Sequence, residues 1–168
     1  MNKPRNSFAS AANPANSTRD KGMALLDSSA LVSKSIRLPN GGWISSSVIK
    51  HESHTERNPV FIVKGMDING ETYEAVIRIK DISPYSMNFL EMMALDGHYM
   101  TKGKYLGAAR GVIGASGAGF GAYDVFTKIN ALPPLQEMMV FQRSNGNLGG
   151  YMHYKNIVDS LLDFIAQR

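Results

Sequence analysis

The sequence predicts an α+β domain: a small antiparallel sheet of about four strands in two hairpins, followed by about three helices packed on it. Three observations predict it. Apolar residues alternate up to Lys80 and recur at helical spacing after it. Two strong turn sequences, Pro39-Asn40-Gly41-Gly42 and Asp67-Ile68-Asn69-Gly70, separate apolar runs. Strands grouped before helices favour segregated layers over a parallel sheet with crossovers.

Each element has a local reason. Ser33–Leu38 places Ile36 and Leu38 on one face, and Trp43–Lys50 follows the first turn. A polar stretch, His51–Asn58, is closed by Pro59. Val60–Met66 has the strongest apolar character of the strands. In Glu71–Lys80, Tyr73, Ala75, Ile77 and Ile79 alternate with Glu74, Val76, Arg78 and Lys80, the pattern of a half-buried strand. Asp81-Ile82-Ser83-Pro84 ends the sheet. Ser86 is placed to cap a helix from Met87, with Phe89, Leu90, Met93 and Ala94 as its stripe; Gly97 and then Thr101-Lys102-Gly103 weaken or end it. A second helix starts at Pro133 or Pro134 and carries Leu135, Met138, Met139 and Phe141. Ser144-Asn145-Gly146-Asn147 breaks it. The last helix, from about Gly150 to Ala166, places Tyr151, Tyr154, Val158, Leu161, Leu162 and Ile165 on one face.

The chain of 168 residues suits one domain and is long enough to fold without a disulfide or structural metal. It has no cysteine, which excludes disulfides, thiol catalysis, cysteine zinc sites and iron–sulfur clusters. The formal charge of +4 is uneven: residues 1–22 carry net +3 and residues 23–168 net +1. A basic tail with a mixed-charge domain does not give the basic face that duplex binding needs, so no nucleic-acid partner is expected. Residues 1–22 read as a disordered tail, with Pro4 and Pro14 and no apolar period. No apolar core of a signal peptide follows the basic start, and no uncharged run is long enough to span a bilayer. A cytoplasmic location is expected, with export through an uncleaved tail as the alternative. Residues 23–168 form the single domain.

Residues 103–123 are the unusual segment, with seven glycines. Gly103, Gly107 and Gly111 recur every fourth residue, and so do Gly117 and Gly121. On a helix this spacing makes a smooth seam. A surface loop, a helix packed closely on a partner or a second copy, and a phosphate cradle are the three readings. The last lacks the G-x-G-x-x-G spacing. The ten methionines concentrate in the helical half, where Met92-Met93 and Met138-Met139 are adjacent pairs. Neighbours on a helix differ by about 100°, so one of each pair is expected at a boundary or an interface.

Catalytic signals are sparse. His51, Glu52, His54 and Glu56 have side chains that ligate metals or move protons, but the spacing is not H-E-x-x-H. There is no G-x-S-x-G; Gly114-Ala115-Ser116-Gly117 misses it by one residue. His98 and His153 are isolated, although histidines distant in the chain can converge in space. The reading leans away from an enzyme, and no cofactor, metal ligand or catalytic residue is assigned.

The run Asn58–Tyr99 resembles a group of small uncharacterised proteins of clostridia and related Firmicutes. The likeness rests on a VKG-type strand end, a short hairpin, and the helix start Ser83-Pro84-Tyr85-Ser86-Met87-Asn88-Phe89-Leu90-Glu91-Met92-Met93-Ala94-Leu95. The region Gly150–Phe164 is similar too; the Gly-rich stretch departs from the pattern. The resemblance implies a bacterial accessory role near flagellar or envelope systems and carries no catalytic residue. The function expected is therefore a non-enzymatic interaction protein, binding a protein partner or itself through its helical half. Gly107, Gly111, Met92 and Met138 are the binding residues expected. A membrane-surface protein using residues 103–126 and a metal-dependent hydrolase using His51–Glu56 are the alternatives.

Overall fold

The computed structural model describes residues 30–39, 41–116 and 124–168. The tail 1–22, the apolar start of Met23–Leu31 up to residue 29, and the glycines at 117, 119 and 121 lie outside the described residues. Four strands, β1 (Val32–Arg37), β2 (Trp43–Lys50), β3 (Val60–Met66) and β4 (Thr72–Arg78), form one sheet in the order β1-β2-β3-β4. Every neighbouring pair is antiparallel. Gly41 and Gly70 take positive φ in the two hairpin turns, a conformation glycine adopts without steric cost. The Asp67 carboxylate accepts the N–H groups of Asn69 and Glu71 and so fixes the second turn. The last strand stops at Arg78, two residues before the alternation ends, because Ile79–Asp81 closes into a 3-10 turn.

Four helices follow: α1 (Phe89–Thr101), α2 (Ala108–Ser116), α3 (Leu132–Ser144) and α4 (Leu148–Ala166). The predicted α+β class holds, with one helix more than the three expected, and that helix lies inside the Gly-rich segment. Helix α1 starts two residues after the predicted Met87. Asn88 caps it rather than Ser86: the Asn88 side chain accepts the Glu91 N–H at 2.8 Å, and Glu91 Oε1 accepts the Asn88 N–H at 3.0 Å. This reciprocal pair satisfies two backbone donors at once. Met87 is instead bridged to Ile129.

Helix α1 is the centre of the molecule. It touches all four strands on one side and α2 on another. Nine consecutive residues, Phe89–Gly97, are buried. A helix covered all round reads as apolar without a narrow stripe. Gly97 does not end the helix. It lets the helix backbone approach β2, since a Cβ there would lie 2.6 Å from Val48 Cγ1. Helix α2 touches α1, α3 and α4, and α3 and α4 pack as an antiparallel pair. The buried face of α4 is carried by Ile157, Val158, Ser160, Leu161 and Phe164. Leu162, expected on that face, points outward and is exposed.

The sheet face under α1 also carries polar groups. Tyr73 donates its hydroxyl to the Ser45 carbonyl at 2.7 Å, across Gly65. Lys34, on the same face, reaches Asp96 of α1.

Candidate functional site

Three places in the described structure combine chemistry with geometry. The first is buried. Lys34 Nζ lies 3.5 Å from Asp96 Oδ2, with side chains only 9% and 2% exposed. Asp96 Oδ1 accepts the Ala108 N–H at 2.7 Å, and Oδ2 lies 3.4 Å from the Ala109 N–H. These are the first two donors of α2, which starts after Gly107 and has no capping side chain of its own. Asp96 therefore caps one helix from another and places its charge at the positive end of α2. Tyr105 folds over the pair, its hydroxyl accepting from Lys34 at 3.3 Å. Burial pushes the Asp96 carboxyl above its ordinary value; Lys34 and the two N–H groups pull the other way. Every group here has a partner, so the cluster reads as a structural joint.

The second place is a cleft at the C-terminal end of α1. It has two lobes that share Glu56, Pro59, His98 and Lys102. One lobe, of about 420 Å³, adds Lys50, His54 and Thr101. The other, of about 510 Å³, adds Ile79, Lys80, Tyr99, Phe164, Gln167 and Arg168. Phe61 stands between the two imidazoles, its ring centroid 4.9 Å from His54 and 6.4 Å from His98. His54 Nδ1 faces both the N–H and the carbonyl of Val60, each at 3.1 Å. Burial, with Lys102 and His54 nearby, pushes His98 down to about 4. The ring is neutral at pH 7, and its Nδ1 is buried without a hydrogen-bond partner.

Of the histidine–glutamate cluster, the fold brings His54 and Glu56 to this cleft and adds His98 from α1. His51 instead organises its own loop, with Nδ1 against the N–H and hydroxyl of Ser53. Glu52 is exposed and lines neither lobe. Among the described residues no group of three or more histidine, aspartate or glutamate side chains is placed to hold a metal ion.

The third place is the loop end of the α3–α4 pair. Val140 and Phe141 in α3 are 58% and 52% exposed, and Leu148 and Met152 in α4 are 69% and 49% exposed. Met138 sits partly buried behind them, its sulfur 3.6 Å from Gln142 Nε2. The other three binding residues expected from sequence lie elsewhere. Met92 is fully buried in α1, and so is Met93, because α1 is covered on every side. Gly111 is buried in α2, where a Cβ would lie 2.6 Å from Ile157 Cδ1. Gly103 and Gly107 have positive φ and precede the helix, so Gly103, Gly107 and Gly111 do not share a helical face. The close packing foreseen for a partner is made by α4 of the same chain. Sequence reading missed Val140 and Leu148. For Val140 the signal was present in Met138-Met139-Val140-Phe141, four apolar residues in succession that no single helix face can hold; no such run marks Leu148.

No helix among the described residues is long and apolar enough to cross a membrane. Compared with known proteins, the chain matches no family model, no curated protein and no solved structure.

Proposed function

We propose that the protein is an interaction protein that docks a protein partner through the loop end of the α3–α4 pair. One observation carries this reading: Val140, Phe141, Leu148 and Met152 are each about half exposed or more, and all four flank the short loop that joins α3 to α4. Scattered exposed apolar residues are ordinary; a group of them marks an interaction surface. The occupant is a different protein presenting a complementary apolar helix or groove. Four side chains expose a few hundred Å², well below the about 800 Å² that each partner of a stable complex or dimer buries, so the contact is a transient one. The resemblance to the clostridial group carries the same expectation of an accessory role. The binding surface thus moves from the glycine seam to the end of the hairpin, keeping Met138 at its base. A membrane role for residues 103–116 has less support, because Leu106, Ala108, Ala109, Val112 and Ile113 are buried.

The test is site-specific photocrosslinking in the native cell, with the reactive residue at 141, at 148, and at Glu74 on β4 as control. The expected result is one shared adduct at 141 and 148 that is absent at 74. The purified partner then binds the wild-type chain at least about tenfold tighter than the Phe141→Asp/Leu148→Asp variant. Equal affinity for the variant, or no adduct at either position, overturns the proposal. An adduct of the chain with itself replaces the partner by a second copy.

A further inference from the structure

The cleft at the end of α1 takes no part in the docking surface, and its chemistry points elsewhere. Lys50, Lys80, Lys102 and Arg168 line it together with one carboxylate, Glu56. None of the three lysines forms an ion pair among the described residues. Arg168 is held in place, donating to the Lys80 carbonyl at 2.8 Å and stacking 5.7 Å from the Phe164 ring centroid. Cations gathered with so little counter-charge raise the local potential and attract anions.

The end of a helix would ordinarily repel an anion through its free carbonyls. Here three of those carbonyls are covered. The Thr101 hydroxyl donates to His98 O. The N–H groups of Lys102 and Lys104 donate to Tyr99 O, and that of Gly103 to Met100 O. His98 lines both lobes, and its Nδ1 is buried without a partner. The second lobe is of another character, walled by Ile79, Tyr99 and Phe164. Both volumes lie within the range of small-molecule sites.

We propose that this cleft binds a small amphipathic anion, with a phosphate or carboxylate group in the polar lobe of Lys50, His54, His98 and Lys102. Its apolar body lies over Ile79, Tyr99 and Phe164. Glu56, at the junction of the lobes, weakens binding by repulsion and favours ligands that keep their charge on the Lys50 side. The groups that face His98 are His54, Glu56 and Lys50 from β2 and the loop after it, Tyr99 and Lys102 from its own helix, Lys80 from the 3-10 turn, and Arg168 after α4. A bound anion opposes the Lys102 charge that acts on the ring, so the imidazole takes up a proton more readily when the site is filled.

The experiment titrates the full chain with phenyl phosphate, inorganic phosphate and phenol at pH 7.5. It follows heat and the His98 ring resonance. Phenyl phosphate binds saturably and shifts His98, and the two partial probes bind at least about tenfold more weakly. Lys102→Gln and Lys50→Gln, both on exposed side chains, weaken phenyl phosphate by about tenfold each, and Glu56→Gln strengthens it. The absence of a saturable shift overturns the proposal. So does phosphate binding that ignores the lysine variants (an adventitious ion only), or phenol binding as tightly as phenyl phosphate. Vesicles of phosphatidic acid separate the two sources of the anion. Sedimentation lost in Lys102→Gln, with no response to phenyl phosphate, assigns the cleft to a lipid surface and overturns the small-molecule reading.

Discussion

At the residue scale, Asp96 joins three elements, the sheet, α1 and α2. Its carboxylate meets a buried lysine and caps α2. Replacing it with alanine leaves Lys34 buried and alone, and leaves the first N–H groups of α2 without acceptors. Breaking a buried pair in this way costs about 3–5 kcal/mol. Urea unfolding of Asp96→Ala should show that loss, and Asp96→Asn a smaller one, since its amide oxygen still caps Ala108. His98 sets a pH dependence. Its folded value is about 4 against an ordinary 6.5, so the unfolded chain binds the extra proton between them. The stability from burying the neutral ring is complete above about pH 6.5 and is lost as pH falls through about 4. Comparing urea midpoints at pH 7, 5.5 and 4, His98→Gln should lose less stability on acidification than the wild type. Neither role is visible in sequence, where Lys34 and Asp96 stand 62 residues apart.

At the element scale, Gly65 and Gly111 mark close approaches, and they differ in what a side chain would meet. At Gly65 a Cβ would lie 1.9 Å from the Ser45 carbonyl oxygen. Backbone cannot move aside there without parting β2 from β3, and the Tyr73 bond to Ser45 would go with it. Gly65→Ala should therefore lower stability by about 3 kcal/mol or more in a thermal or urea melt. At Gly111 the obstacle is the flexible end of Ile157, and alanine regains about 1 kcal/mol of helix propensity. Gly111→Ala should stay within about 1 kcal/mol of wild type, and Gly111→Leu should lose about 1–3 kcal/mol by overpacking. Spacing alone could not separate these cases. The repeat of Gly103, Gly107 and Gly111 suggested a seam, but with positive φ Gly103 closes the end of α1 and Gly107 leads into α2. The strands were more legible: β2 and β3 have the predicted bounds, because alternation and the flanking turns report the same boundary.

At the scale of the whole molecule, the described residues form a sheet, a buried central helix and three further helices, with apolar side chains exposed at the loop end of the α3–α4 pair and a basic cleft at the end of α1. The two surfaces are separable by mutation. Phe141→Asp/Leu148→Asp alters exposed side chains and should change folding stability by no more than about 0.5 kcal/mol at each site. The same variant should bind phenyl phosphate as the wild type does, which isothermal titration would check. Light scattering should find the wild-type chain monomeric at micromolar concentration, since the apolar surface is too small to hold a dimer.

The sequence by itself determined the fold class, the four strands, both hairpin turns and the three longer helices. These follow from local rules: alternation, helical period, and glycine or asparagine where a turn needs them. Only the tertiary structure decided that α1 is buried on every side and that a carboxylate of α1 caps α2. It also decided that His98 joins His54 and Glu56, and which of the glycines lie against other parts of the chain. The physical reason is range. Period and turn chemistry act over a few residues, whereas burial, ion pairing and clefts depend on residues brought together from distant parts of the chain.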